Sequence, residues 1–143
     1  MPSPFQQLSD LPHVTLRFVD LPDGLLGFCD HDTDTIWLTK GMRQRQRRAV
    51  LQHELEHLRR GRVASNPHFA NREEVAVEQA TAHALIPFHS LYGALQWTRD
   101  AHELACELHA PVDLVVVRMN HLHPSETIRI RAMMANQDEA RSA

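Results

Sequence analysis

The sequence predicts an α+β fold in which a small three-stranded sheet is followed by helices. Three short segments before residue 40 alternate apolar and polar residues, a pattern typical of strands with one buried face. Beyond residue 41 the chain contains long runs without glycine or proline. Their apolar residues recur every three or four positions, as on one face of a helix. A length of 143 residues fits one domain with a substantial core.

The sheet is expected to be mostly antiparallel, because short polar turns separate its strands. Residues 1–12 contain three prolines and predict an irregular lead-in. The strands are predicted at residues 13–20, 25–29 and 35–39. Residues 21–24 have the composition of a turn. The acidic segment at residues 30–34 lacks the glycine and the closing glutamate of a calcium-binding loop, so we interpret it as a turn as well.

Helices are predicted over most of the remaining chain. A long helix is expected from Met42 to a glycine stop at Gly61. After a loop over residues 62–71, a second helix is expected from about Glu73 to Ile86, where Pro87 ends it. Three further helices are predicted at residues 100–109, from Pro111 onward, and from Pro124 to about Asn136.

The first long helix contains His53-Glu54-Leu55-Glu56-His57, an H-E-x-x-H pattern. Residues four apart lie on the same face of a helix, so His53 and His57 present two imidazoles to one point. Imidazole nitrogen is a good zinc ligand, and Glu54 is placed to accept a proton from water rather than to bind the metal. The chain has 11 histidines, so a chance pair on a surface helix is the alternative.

The second long helix offers a third ligand. Glu74 and Glu78 are four residues apart and share a face, so one can bind the metal while the other accepts the second N–H of a ligating histidine. The spacing leaves open which glutamate has which role, and the adjacent Glu73 is a further candidate. An acidic first turn favoured by the helix dipole would explain Glu73 and Glu74, but not Glu78. Two histidines and a glutamate form a known catalytic zinc set.

Composition and charge narrow the functional classes. The formal net charge is −3, so no overall field favours nucleic acid or an anionic membrane. No apolar stretch approaches the roughly 20 residues of a bilayer-spanning helix. The N-terminus lacks the features of a signal peptide, and we expect a cytoplasmic protein with no membrane partner. Cys29 and Cys106 form no Cys-x-x-Cys pair, which leaves imidazole and carboxylate as ligands for any metal.

The C-terminal third has two short helical patterns separated by Ala110-Pro111, an arrangement similar to a helix-turn-helix. Arg118, Arg129 and Arg131 could contact phosphates, but acidic residues nearby dilute their charge. We therefore expect this segment to pack against the core rather than to bind nucleic acid. In domain terms, residues 1–95 are expected to form the core, residues 96–137 a helical subdomain packed on it, and residues 138–143 a frayed tail.

The run from Arg47 to Gly61 resembles the active-site helix of the ImmA/IrrE-type metallopeptidases, small gluzincin proteases of bacteria, mobile elements and phages. The segment from Glu74 to Pro87, an alanine-rich helix that ends Leu-Ile-Pro, resembles the second signature of that family. The family pattern has Asn or Asp where this chain has Glu78, and a longer side chain there could itself reach the metal.

The resemblance implies a zincin-like core over residues 1–95 with one zinc ion per chain. The ligands would be His53, His57 and Glu74, Glu54 would be the general base, and Glu78 would lie beside the ligands. The implied activity is site-specific cleavage of a protein, since the usual substrate of the family is a helix-turn-helix transcriptional repressor. Its cleavage relieves repression of stress-response or mobile-element genes.

Contacts to a substrate are harder to place on the sequence. His68, Tyr92 and His83 are candidates for substrate or oxyanion contacts. The predicted strand at residues 35–39 precedes the motif helix, and its edge is expected to align an extended peptide. The alternative is a zinc-containing regulator without catalytic activity that binds a repressor or a toxin–antitoxin partner through its C-terminal helices.

Overall fold

A computed structural model of the protein, which describes residues 3–22, 24–62 and 66–142, has the expected α+β architecture. The strands are β1 (Thr15–Val19), β2 (Gly27–Asp30) and β3 (Thr35–Thr39). The helices are α1 (Pro4–Ser9), α2 (Gln44–Arg60), α3 (Pro67–Leu85), α4 (Phe88–Leu95), α5 (Ala101–Leu108), α6 (Val112–Asn120) and α7 (Pro124–Ser142). In the part of the chain that is described, no helix is both long enough and apolar enough to span a bilayer.

The sheet is mixed, so the expectation of a mostly antiparallel sheet is wrong. The strand order is β1-β3-β2, with β2 antiparallel to β3 and β1 parallel to it. Ile36 and Leu38 on β3 are fully buried, whereas β1 and β2 retain exposed residues, so the most apolar strand lies in the centre. Residues 20–26 thus form a crossing connection rather than a hairpin turn; Asp23 within it lies outside the described residues.

The central position of β3 corrects a second expectation. Both of its edges are paired, so residues 35–39 cannot align a peptide by strand addition. The free edges of the sheet belong to β1 and β2.

The N-terminal segment is helical instead of irregular. Pro4 occupies the first position of α1, where its fixed φ suits a helix and its missing N–H costs nothing. Ser3 and Gln6 complete a capping box: the Ser3 hydroxyl accepts from the Gln6 N–H at 3.2 Å, and the Gln6 amide oxygen accepts from the Ser3 N–H at 3.0 Å. The proline count predicted a break where one proline in fact begins a helix.

The predicted end of α2 agrees with the structure, whereas the predicted start of α3 does not. Helix α2 ends at Gly61, which has φ +80°, as predicted. Helix α3 begins at Pro67, so residues 67–71 of the predicted loop are helical; residues 63–65 of that loop lie outside the described residues. The Asn66 side chain accepts from the His68 N–H at 2.9 Å and caps this end. Because Glu73 and Glu74 now lie in the second turn, a first-turn dipole effect no longer explains them.

Buried apolar residues form two clusters. One joins the sheet to α2 through Val14, Ile36, Leu38, Leu51 and Leu55. The other joins the C-terminal half of α3 to α4, α5, α6 and α7, and includes Ile86, Leu91, Leu114, Val115 and Ile130. Helix α4 was not predicted, and α7 continues to Ser142, beyond its expected end at Asn136.

Arg118 links the helices of the second cluster and is almost completely buried, with 1% of its surface exposed. Its Nε donates to the Ile86 carbonyl at 2.8 Å, and its terminal nitrogens donate to the Glu126 carboxylate at 2.8 and 3.0 Å. Because it is buried, Arg118 cannot contact a phosphate, contrary to one interpretation of the sequence. The Arg129 guanidinium lies over the rings of Phe88 and Tyr92, at 4.8 and 5.4 Å from their centroids.

Candidate metal centre

Helices α2 and α3 bring His53, His57 and Glu74 together at one point. The two Nε2 atoms are 3.2 Å apart. Glu74 places Oε1 2.9 Å from His57 Nε2 and Oε2 3.3 Å from His53 Nε2. Among the described residues this is the one group of three histidine, cysteine or acidic side chains whose ligand atoms all lie within 4.8 Å of one another. The structure thus brings together the three residues that the resemblance implies as metal ligands.

The spacing of the two imidazole nitrogens suits a tetrahedral ion. With ligands at roughly 2.0–2.1 Å, tetrahedral zinc separates its ligand atoms by about 3.3 Å. The two imidazole nitrogens, 3.2 Å apart, lie near that value, and each has a different Glu74 oxygen beside it, at 2.9 Å from His57 and 3.3 Å from His53. The Glu74 side chain is 57% exposed, so the point between the ligands is open to solvent on that side. The donor set therefore fits zinc, and the exposed side leaves room for a water or substrate atom.

Packing of α2 determines which way the histidines point. Leu51 and Leu55 are fully buried against the sheet, which turns the face carrying His53 and His57 toward α3. At the end of α2, Arg60 donates to both carboxylate oxygens of Glu73, at 2.5 and 3.1 Å. These hydrogen bonds hold the pKa of the Glu73 carboxyl below its ordinary value. Glu73 therefore pairs with Arg60 beside the centre and is not one of its ligands.

Glu54 lies beside the centre and is buried, with 7% of its surface exposed. Burial, followed by the charge of Glu74, raises the pKa of the Glu54 carboxyl to about 7. Burial and the neighbouring His57 lower the pKa of His53, although Glu74 and Glu78 oppose that shift. A neutral imidazole can bind a metal, and a carboxyl with a pKa near neutrality can both accept and release a proton.

The second glutamate of the motif has a different environment. Glu56 accepts from the Gln52 amide at 2.8 Å and from Arg59 at 3.3 Å. Gln52 also contacts Gln7 of α1, with a hydrogen bond of 2.8 Å. Glu56 therefore belongs to the contact between α1 and α2, although it is only two residues from Glu54.

A cleft of about 550 Å³ opens beside the centre, between β2, α2, α3 and the start of α6. Its lining includes His53, Glu54 and Glu78, with apolar walls from Leu26, Val50, Val112 and Leu114. Glu78 is exposed in this cleft and is not part of the three-ligand cluster. The structure therefore groups Glu74 rather than Glu78 with the imidazoles. The contribution of α6 to the cleft had no signal in the local sequence, because it depends on the packing of distant helices.

The three candidates for substrate contacts do not line this cleft. His68 lies in the first turn of α3 with its ring against Phe69. His83 places Nε2 3.1 Å from the His121 carbonyl oxygen. Tyr92 packs near Phe88 and beneath Arg129 in the helical cluster. The fold thus brings none of these side chains together with Glu54 in the cleft.

Comparison of the chain with protein-family models, with curated proteins and with solved structures finds no match.

Proposed function

We propose that this protein is a zinc-dependent endopeptidase of the ImmA/IrrE type, with one zinc ion per chain. The observation that carries the proposal is the convergence of two imidazoles and one carboxylate at one point, with a buried glutamate beside them in an open cleft. In metalloproteases of the H-E-x-x-H class the two histidines bind zinc and the glutamate acts as the general base.

In the proposed reaction, His53 and His57 would hold the ion through their imidazole nitrogens, and Glu74 would hold it through its carboxylate. Bound there, zinc would supply a Lewis acid for the scissile carbonyl and lower the pKa of water. Glu54 accepts the proton of the attacking water and then delivers it to the leaving amine. The burial that raises the pKa of Glu54 to about 7 suits both halves of this proton transfer.

The proposed substrate is an extended segment of a protein, most simply an exposed strand or linker of a helix-turn-helix repressor. Strand β2 has a free edge, and its first residue, Gly27, lines the cleft together with Glu54. A peptide paired with that edge would pass the reacting carboxylate while its side chains enter the apolar walls. The repressor itself is proposed through the family resemblance of the two signature helices.

Two substitutions within one motif test the activity. Glu54→Gln should retain about one zinc per chain and lose cleavage, because it removes the proton acceptor without removing a ligand. Glu56→Gln is the matched control, since Glu56 is two residues away and faces Gln52 and Arg59 instead of the cleft. Substrates are found by labelling new protein N-termini after incubation with a bacterial lysate. If the Glu54→Gln protein produces the same new N-termini as the unaltered protein, the endopeptidase proposal fails.

A further inference from the structure

Strand β2 approaches helix α2 so closely at Gly27 that no side chain fits between them. A Cβ atom placed on Gly27 would lie 2.7 Å from Val50 Cγ1, 3.0 Å from Glu54 Oε1 and 3.1 Å from Glu54 Cγ. Real Cβ atoms essentially never come within 3.0 Å of another heavy atom, so an alanine here would displace its neighbours. The requirement is for space and not for backbone conformation, because Gly27 has no positive φ.

The two side chains that contact this glycine are four residues apart on one face of α2. Val50 and Glu54 both line the cleft, and Glu54 lies between His53 and the buried Leu55. The pairing of Gly27 with Leu38 and of Cys29 with Ile36 turns this face of β2 toward α2. The backbone of β2 therefore forms one wall against the Glu54 side chain, at a place where any other residue would add atoms.

We propose that Gly27 is a positioning residue for Glu54: its missing side chain lets the strand hold the carboxylate at its observed place beside the metal ligands. The inference rests on the proposed function, in which Glu54 moves the proton. It adds a residue that is neither one of the three proposed ligands nor a group that transfers the proton. A methyl group at position 27 would push Glu54 Oε1 and Cγ away by a few tenths of an ångström.

The test compares Gly27→Ala with Gly93→Ala. Gly93 is an exposed glycine of α4 with nothing within 4 Å of an added Cβ and no positive φ, so it controls for the substitution itself. Gly27→Ala should retain one zinc per chain and lose roughly 10- to 100-fold in kcat/KM, as expected for a displaced catalytic group. Gly93→Ala should retain full activity. An unchanged kcat/KM in a folded Gly27→Ala protein would overturn the inference.

A second comparison separates positioning from simple overpacking. Val50 Cγ1 is the nearest atom, so Val50→Ala removes the tightest contact and leaves the contacts with Glu54. The double variant Gly27→Ala/Val50→Ala should therefore have nearly the same unfolding midpoint as Val50→Ala alone. Its kcat/KM for cleavage should nevertheless stay low, because the contacts with Glu54 remain. Recovery of cleavage to the level of Val50→Ala would mean that Gly27 only makes room for Val50. The double variant also keeps the test open if Gly27→Ala does not fold.

A readout without turnover keeps this inference separate from the proposed function. In the metal-free protein, carbon-13 NMR of labelled glutamate carboxyls identifies Glu54 as the signal lost in Glu54→Gln. That signal should be displaced in Gly27→Ala and unmoved in Gly93→Ala. An unmoved Glu54 signal in Gly27→Ala would refute positioning. If the unaltered protein shows no cleavage, the proposed function fails while this comparison still decides what Gly27 does.

Discussion

Replacement of Glu126 by glutamine tests how the helix that carries Glu74 is anchored. Arg118 is 1% exposed, and its Nε donates to the Ile86 carbonyl just past the end of α3. Among the described residues, Glu126 is the one acidic side chain within salt-bridge distance of Arg118, so it alone balances the charge of the guanidinium. Glutamine has the same shape and can still accept a hydrogen bond, but it leaves the buried guanidinium without a counter-charge. The perturbation therefore removes charge while disturbing the packing little.

Loss of one partner of a buried ion pair costs about 3–5 kcal/mol. The Glu126 side chain retains 15% exposure, which favours the lower end, about 3 kcal/mol. For a chain of this length, that corresponds to a fall of about 10 °C in Tm. Calorimetry or denaturant titration measures it. The matched control is Asp138→Asn, which breaks the exposed pair with Arg99 at 3.1 Å and should cost at most about 1 kcal/mol. Equal losses in the two variants would refute the reasoning.

The same pair predicts how stability depends on pH. Hydrogen bonds from Arg118 lower the pKa of Glu126 from 4.5 to about 2. A carboxyl with a depressed folded-state pKa contributes stability above its unfolded value and loses it as pH falls. The contribution should therefore be complete above about pH 4.5 and decline toward pH 2. Unfolding free energies measured across that range should fall less steeply for Glu126→Gln than for the unaltered protein; parallel curves would contradict the assignment.

Two further predictions concern the metal ligands and the thiols. Glu74→Gln should weaken zinc binding at least about 100-fold in a competition assay, whereas Glu73→Gln, which loses only its pairing with Arg60, should bind within about tenfold of the unaltered protein. Burial raises the pKa of the Cys29 thiol to about 12, so its thiolate population is about a thousandfold below that of an unperturbed thiol with pKa 9.0. Iodoacetamide at pH 8 should modify the exposed Cys106 first, as followed by mass spectrometry, and faster modification of Cys29 would contradict its burial.

Local signals in the sequence predicted the parts of the fold that depend on neighbouring residues. The periodicity of α2, the glycine at its end and the i, i+4 histidines are all properties of one helix, and the structure confirms them. The predicted start of α3 is too late: Asn66-Pro67 is a strong capping signal, but the prediction places both residues in a loop. Sheet order depends on which strand is most buried, and neither turn composition nor strand length contains that information.

In the candidate site, too, the sequence predicts what depends on one helix but not what depends on the packing of separate elements. Spacing on α3 made Glu74 and Glu78 equivalent candidates, and only the placement of α3 against α2 distinguishes them. The pairing of Glu73 with Arg60 also depends on how α3 packs against α2, because the two residues lie on different helices. Gly27 gave no signal at all, because a glycine without positive φ in a strand resembles any other weak strand residue.

The five residues of the motif are distinguished by what surrounds each of them. His53 and His57 face α3, Glu54 lies against the backbone of β2, Leu55 enters the core of the sheet, and Glu56 joins the contact with α1. A chance motif on a surface helix would leave its charged side chains in solvent. Here Glu54 is buried, and Glu56 is hydrogen-bonded to Gln52 and Arg59. The three proposed ligands also come from helices whose apolar faces belong to different clusters, with α2 on the sheet and α3 in the helical cluster. An ion held by all three side chains would therefore join the two cores directly, so that metal affinity and the relative placement of the two cores depend on each other.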